Sequence, residues 1–253
     1  MRKCSSLAFL SLAALGLAAC ATPDGGRQAA APGQPVSIAF ALTAKGQPVR
    51  CGAAPVRLGS GHTAAGLHDA RFYVQGVSLI DTAGTRVPVT LARNDWQVAD
   101  VALLDFENGT GSCAGGTPAT NEAVTGTVPP GSHEYVGLEF TVGVPVQGRL
   151  ADGKTVSLNH SSTETAPAPL DIAAMGWSWQ AGRKFMKVEV DPVGGVAKAD
   201  GGKATTWHVH LGSTGCSGNP ADGETVTCTR PNRTTVTIPH FDARKQLVAL
   251  DLT

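Results

Sequence analysis

From residue 35 onward apolar positions recur with a period of two. Val36, Ile38, Phe40 and Leu42 alternate with polar or small residues, and Val136, Leu138, Phe140 and Val142 repeat the pattern, which marks half-buried strands. Similar runs occupy 71–80, 86–92, 155–158, 183–190, 205–211, 225–228, 233–239 and 246–252, separated by Gly, Pro, Asn or Asp clusters. Short strands at hairpin-like intervals, with no long amphipathic helix and no internal repeat, predict an all-β domain over 35–253: a single antiparallel β-sandwich or distorted barrel with long loops. Two stretches read as functional or pinned loops. Residues 105–131 carry too many turn formers to form a ladder, and 159–180 pass through a Pro-rich bend.

Composition supports this reading. The 253 residues include 31 Gly and 16 Pro, so connections are many, while 42% hydrophobic content suffices for a core. Twenty basic residues balance twenty acidic ones, which removes the electrostatic case for nucleic-acid or anionic-lipid binding.

The N-terminus predicts export. Arg2 and Lys3 precede an apolar run, Leu7 to Leu17, too short to span a membrane and suited to a secretory signal. Its end, Leu17-Ala18-Ala19-Cys20, reads as a lipoprotein signal over 1–19 with lipidation at Cys20; ordinary cleavage after Ala21 is the alternative. Residues 20–34 are then a flexible tether. The residue after Cys20 is Ala21, which gives no Asp signal for inner-membrane retention, so the expected location is the periplasm or cell surface, anchored to the outer membrane.

Cys4 leaves with the signal and Cys20 takes the lipid, so Cys51, Cys113, Cys216 and Cys228 remain as two disulfides in an oxidising compartment. Four cysteines permit three connectivities. The short loop favours Cys216 with Cys228, leaving Cys51 with Cys113. None has CxxC spacing, and reduced thiolates are hard to keep outside the cytoplasm, which argues against a cysteine metal centre.

The strongest chemical signal is Trp207-His208-Val209-His210-Leu211. On a strand His208 and His210 share a face, about 7 Å apart, and can converge on one ion. Neutral imidazole suits Cu, Zn and Ni, with divalent affinity peaking at copper. A pair of solvent-facing histidines is the plainer reading. A third ligand would decide for metal, and His160 is the first candidate, with Asn159 orienting it; His68, beside Asp69, is the next. His62, His133 and His240 read as solvated. Met175 offers a soft thioether or fills core. Trp177 and Trp179 close one end of the core on this reading, and Trp96 and Trp207 also pack. Ser213-Thr214-Gly215 reads as a turn and lacks a strand-turn-helix context, and no carboxylate pair is placed by spacing, so no enzyme is expected.

Several longer phrases resemble a family. These are Arg71-Phe-Tyr-Val-Gln-Gly-Val, Leu104-Asp-Phe-Glu-Asn-Gly-Thr-Gly-Ser-Cys113, Val142-Gly-Val-Pro145, Asn159-His160, Met175-Gly-Trp-Ser-Trp-Gln180 with Lys184-Phe185, and His210-Leu-Gly-Ser-Thr-Gly-Cys216. Over about 50 to 240 they look like the metallo-mystery pair four-cysteine proteins, which include the copper-binding MbnP-like proteins of methanobactin systems. The resemblance implies copper as cofactor and a di-haem, MauG-like partner of the cytochrome c peroxidase type. It also implies oxidation of one tryptophan to kynurenine, without matching it to one position; closeness to Met175 and the Pro-rich bend after His160 put Trp177 ahead of Trp179. The chain departs from the pattern where residues from Val146 to Leu158 lengthen the path to Asn159-His160. Two functions follow as expectations: an exported copper-binding protein for sequestration, delivery or homeostasis, or a structural or adhesive surface lipoprotein whose histidines are incidental.

Overall fold

The alternation at 36–42 becomes the strand Gln34–Ala44, which buries Ile38, Phe40 and Leu42. The structure, a computed structural model, describes residues 32–131, 134–177, 182–219, 222 and 224–253. The expectations for the 1–19 leader, Cys20, His133 and Trp179 lie outside the described residues. Ordered strand begins at Gln34, the last residue assigned to the tether.

Two sheets face each other and do not close into a barrel, so the sandwich alternative holds. The smaller is built on Gln34–Ala44, which pairs antiparallel with Ala123–Val128 and parallel with Leu247–Asp251. The larger is built on Thr63–Asp81, a 19-residue strand that pairs antiparallel with Gly182–Pro192, Val101–Asp105 and Tyr135–Val142. Trp207–Gly212 then pairs with Gly182–Pro192. Between the sheets lies the main core, where Phe40 and Phe140 meet edge to face at 5.6 Å between ring centroids.

The outer face of the larger sheet is also covered. In the long strand Phe72 and Val74 point into the main core, whereas Tyr73 points outward into a second core with Leu103, Leu158, Leu170, Met175 and Phe185. The Tyr73 hydroxyl donates to the Pro169 carbonyl at 2.8 Å and fixes the covering loop. Residues 159–177 are therefore a lid of packed loop over one end of that face. Beside it the same face carries Asp69, Arg71, Lys187 and Glu189.

Two sequence readings need correction. The 105–131 stretch does contain a ladder strand, Ala123–Val128, which pairs with Gln34–Ala39 and with Thr90–Leu91. Its apolar alternation is carried by Val124 and Val128 alone. Gly126 stands between them because a Cβ there would lie 2.3 Å from the Thr90 carbonyl oxygen. Trp207 is not a packing residue: it is 49% exposed, with its face of the strand lining a surface groove beside Val209. The disulfides form as favoured, Cys51–Cys113 and Cys216–Cys228.

Candidate functional site

On the outer face, strand register sets charged side chains in rows. Asp105, Arg71, Lys187 and His210 are paired in succession across four neighbouring strands, and Asp69, Glu189 and His208 form a parallel row across three. Strand pairs on one face stand about 5 Å apart, so each side chain meets the next in its row. Arg71 forks onto Asp69, with Nε 2.9 Å from Oδ1, and its Nη1 lies 3.7 Å from Glu107. Lys187 contacts Asp69 and reaches Glu189 Oε2 at 3.1 Å. Arg71 and Lys187 thus pair with Asp69 and Glu189, as buried charges require.

The rows end at the histidines. His208 Nδ1 lies 3.1 Å and His210 Nε2 2.7 Å from the same oxygen, Glu189 Oε1, and the two rings sit 5.5 Å apart. His68 joins them through an irregularity: Glu189 pairs with Asp69 and Val190 with Leu67, so His68 occupies a bulge. A bulge re-aims a side chain. His68 Nε2 comes within 3.8 Å of Glu189 Oε2, with Nδ1 3.1 Å from Asp191 Oδ2.

Glu189 dictates the protonation pattern. Burial alone would raise its pKa, but hydrogen bonds from His210 and His208 and the charge of Lys187 outweigh burial and hold it near about 2. An ionised carboxylate accepts only, so His210 donates to it from Nε2 and keeps its lone pair on Nδ1. Burial, with help from Lys184 and Lys187, lowers the His210 pKa against the pull of Glu189. His210 is therefore neutral near neutral pH. A carboxylate that takes an imidazole N–H and leaves the other ring nitrogen its lone pair is an arrangement common beside bound metals. Glu189, His208 and His210 bring ligand atoms within 4.8 Å of one another, a spacing compatible with metal binding.

Trp177 stands against this group. Its indole meets the His210 ring edge to face at 6.0 Å, with Lys184 Nζ 5.8 Å from the indole centroid. Gly212, at the end of the histidine strand, makes room for it: a Cβ there would lie 3.1 Å from the indole Nε1. Trp177 thus flanks the histidines and does not cap the core between the sheets.

The other predicted site residues are placed elsewhere. His160 is 2% exposed and lies against the Cys216–Cys228 disulfide, with Nε2 3.4 Å from Cys228 Sγ; its potential ligand group comprises those cysteines and not His208 and His210. Asn159 hydrogen-bonds His160 and accepts the Arg183 backbone N–H. Met175 is fully buried in the second core. His62 and His240 are exposed, as expected. Sequence reasoning missed Glu189, Lys187 and Arg71 as site residues and met Asp69 only as the neighbour of His68. The signal was the alternation Lys187-Val-Glu189-Val-Asp191, polar on one face of a strand whose other face is buried.

The MbnP family model matches residues 33–253. The solved structure of MbnP from Methylosinus trichosporium is similar with a TM-score of 0.80 and 53% sequence identity, covering 88% of this chain and 77% of that one. None of the curated protein sequences compared with the chain matches it. The family match over residues 33–253 and the identity over most of both chains agree with the disulfide framework and the sandwich: this chain belongs to the MbnP family.

Proposed function

We propose that this is an exported copper-binding protein, active in sequestration, delivery or homeostasis without turnover of its own, whose ion is held by His208 and His210 with His68 beside them. The observation that carries the reading is the convergence of two imidazoles on Glu189, with ligand atoms of all three side chains close enough to share one ion. Unsaturated nitrogen donors suit copper, and family membership supports it over zinc. Lys187, itself held by Asp69, helps keep Glu189 ionised and in place.

Trp177 is the residue converted to kynurenine on this reading, by a di-haem MauG-like partner that removes its electrons. Its contact with His210 supports the choice, because a kynurenine there adds an aniline nitrogen and a ketone beside the ion. The protein is lipid-anchored at Cys20 and faces the periplasm or the cell surface.

Metal analysis of protein purified from copper-fed cells, with and without the co-expressed partner, tests the reading. Near-stoichiometric copper that disappears in the His208→Ala/His210→Ala variant is expected. Metal-free protein under both conditions would favour a purely structural surface lipoprotein.

A further inference from the structure

A second constellation of donors lies away from the Glu189 histidines and is used by nothing described so far. His160, Cys216 and Cys228 bring ligand atoms within 4.8 Å of one another. The two cysteines face each other in the hairpin Thr214–Ser217 and Thr227–Arg230, where Cys216 pairs directly with Cys228 between Thr214–Arg230 and Ser217–Thr227 pairs. Both cysteines are half-buried in a hairpin whose Gly215, Ser217, Thr227 and Thr229 are exposed, which leaves a reductant a way in.

The imidazole is held beside the sulfurs by an identifiable chain of hydrogen bonds. The Arg183 backbone N–H can only donate, and it lies 3.0 Å from the Asn159 side-chain oxygen, which fixes the orientation of that amide. Asn159 Nδ2 therefore faces His160 Nε2 at 3.0 Å as a donor, and Nε2 must be the acceptor nitrogen. That lone-pair nitrogen is the atom 3.4 Å from Cys228 Sγ. The ring is seated from behind as well, because a Cβ on Gly182 would come within 3.2 Å of its Cε1 and Nδ1. When the lone pair is taken by another partner, Asn159 Nδ2 has Ser213 Oγ at 3.4 Å as an alternative acceptor.

We infer that Cys216, Cys228 and His160 form a second, redox-gated Cu(I) site, closed while the disulfide is intact and opened by a dithiol reductant. In the opening step a thiolate of the reductant attacks one sulfur of the Cys216–Cys228 bond, and its second thiol resolves the mixed disulfide. Two electrons and two protons pass to the protein, which is left with two thiols, and the reductant leaves as its disulfide. Cu(I) then replaces both thiol protons, which go to solvent, and is held by two sulfurs and His160 Nε2. Soft thiolates select Cu(I), and three donors suit it better than Zn(II), which in closed structural sites takes four. The hairpin register and the hydrogen bonds of Asn232 to Gly212 and Thr214 hold the donors together after the bond is cut.

The test uses the mature protein carrying His208→Ala and His210→Ala, so that failure of the first site and failure of this one are read separately. The protein is treated with dithiothreitol, desalted anaerobically and titrated with Cu(I) against a chromophoric chelator, then alkylated and mapped by mass spectrometry. One equivalent of Cu(I) is expected in the reduced protein and none in the oxidised one, with Cys216 and Cys228 protected from alkylation. Adding His160→Gln should weaken this binding by about tenfold or more. Protection of Cys51 and Cys113 instead, equal uptake with the disulfide intact, or unchanged affinity in the His160→Gln background would each overturn the assignment. Alkylation mapping keeps the result readable if Cys228→Ser, the obvious variant, fails to fold.

Discussion

Replacing Asp105 with Asn should change the pH dependence of stability more than stability itself. Asp105 ends the row that runs through Arg71 and Lys187 to His210, and it is 1% exposed. Its Oδ1 accepts the Glu107 N–H at 3.1 Å, while Oδ2 finds no hydrogen-bond partner among the described residues. Burial raises its pKa to about 7, against the opposing charge of Arg71 and with help from Glu107 and Asp69. The folded protein therefore binds this proton more tightly than the unfolded chain does, whose value is 3.8. A raised folded pKa gives stability that is fully present below 3.8 and is lost as pH rises to about 7. The whole shift corresponds to roughly 4 kcal/mol, of which about 2–3 kcal/mol falls between about pH 5 and pH 8. Asn carries no such proton. Urea unfolding with disulfides intact should show the Asp105→Asn variant gaining about 2–3 kcal/mol on the wild type between those pH values. Differences that stay within about 0.5 kcal/mol across that range, inside ordinary extrapolation error, would refute the account of this buried carboxylate.

Other outcomes follow from the same geometry. Glu189→Gln should weaken copper binding about 10–100-fold in a chelator competition, because it removes the charge that orients both imidazoles; unchanged affinity would make Glu189 a bystander. Copper should also be released on acidification, since protonated imidazoles cannot ligate, and a pH titration that retains the ion well below the ordinary histidine range would contradict this. Mass spectrometry of the unreduced protein should find no free thiol among the four disulfide cysteines, and loss of the Cys51–Cys113 bridge, which closes a 62-residue separation, should cost about 2–5 kcal/mol in denaturant melts. Co-expression with the di-haem partner should convert Trp177, adding one oxygen and removing one carbon; an unmodified 175–180 peptide would end that proposal, and modification at Trp179, Trp96 or Trp207 would move the site.

Much of the fold was legible because period two is a local signal. The 36–42 and 136–142 alternations carry bulky residues, and both became core strands. The strand at 123–128 was hidden because Gly126 and two threonines dilute its pattern, and its place is set by partners far away in sequence. His208 and His210 could be put on one face from strand geometry alone. Their grouping with Glu189 could not, because it depends on the register between strands that are distant in the chain, and on a bulge at His68 that no local pattern announces. His160 shows the converse. It sat in an unusual loop, so proximity in sequence to Met175 and Trp177 suggested a shared site, whereas Arg183 and Asn159 hold its ring against a disulfide.

The central claim is that copper binds at the Glu189 histidines through nitrogen while both disulfides stay closed. X-ray absorption on the copper-loaded, unreduced protein tests it most directly. The account predicts imidazole scattering from at least two histidines, lost in the His210→Ala variant, with no copper–sulfur shell. A sulfur shell in the oxidised protein, or an unchanged spectrum in the His210→Ala variant, would contradict it.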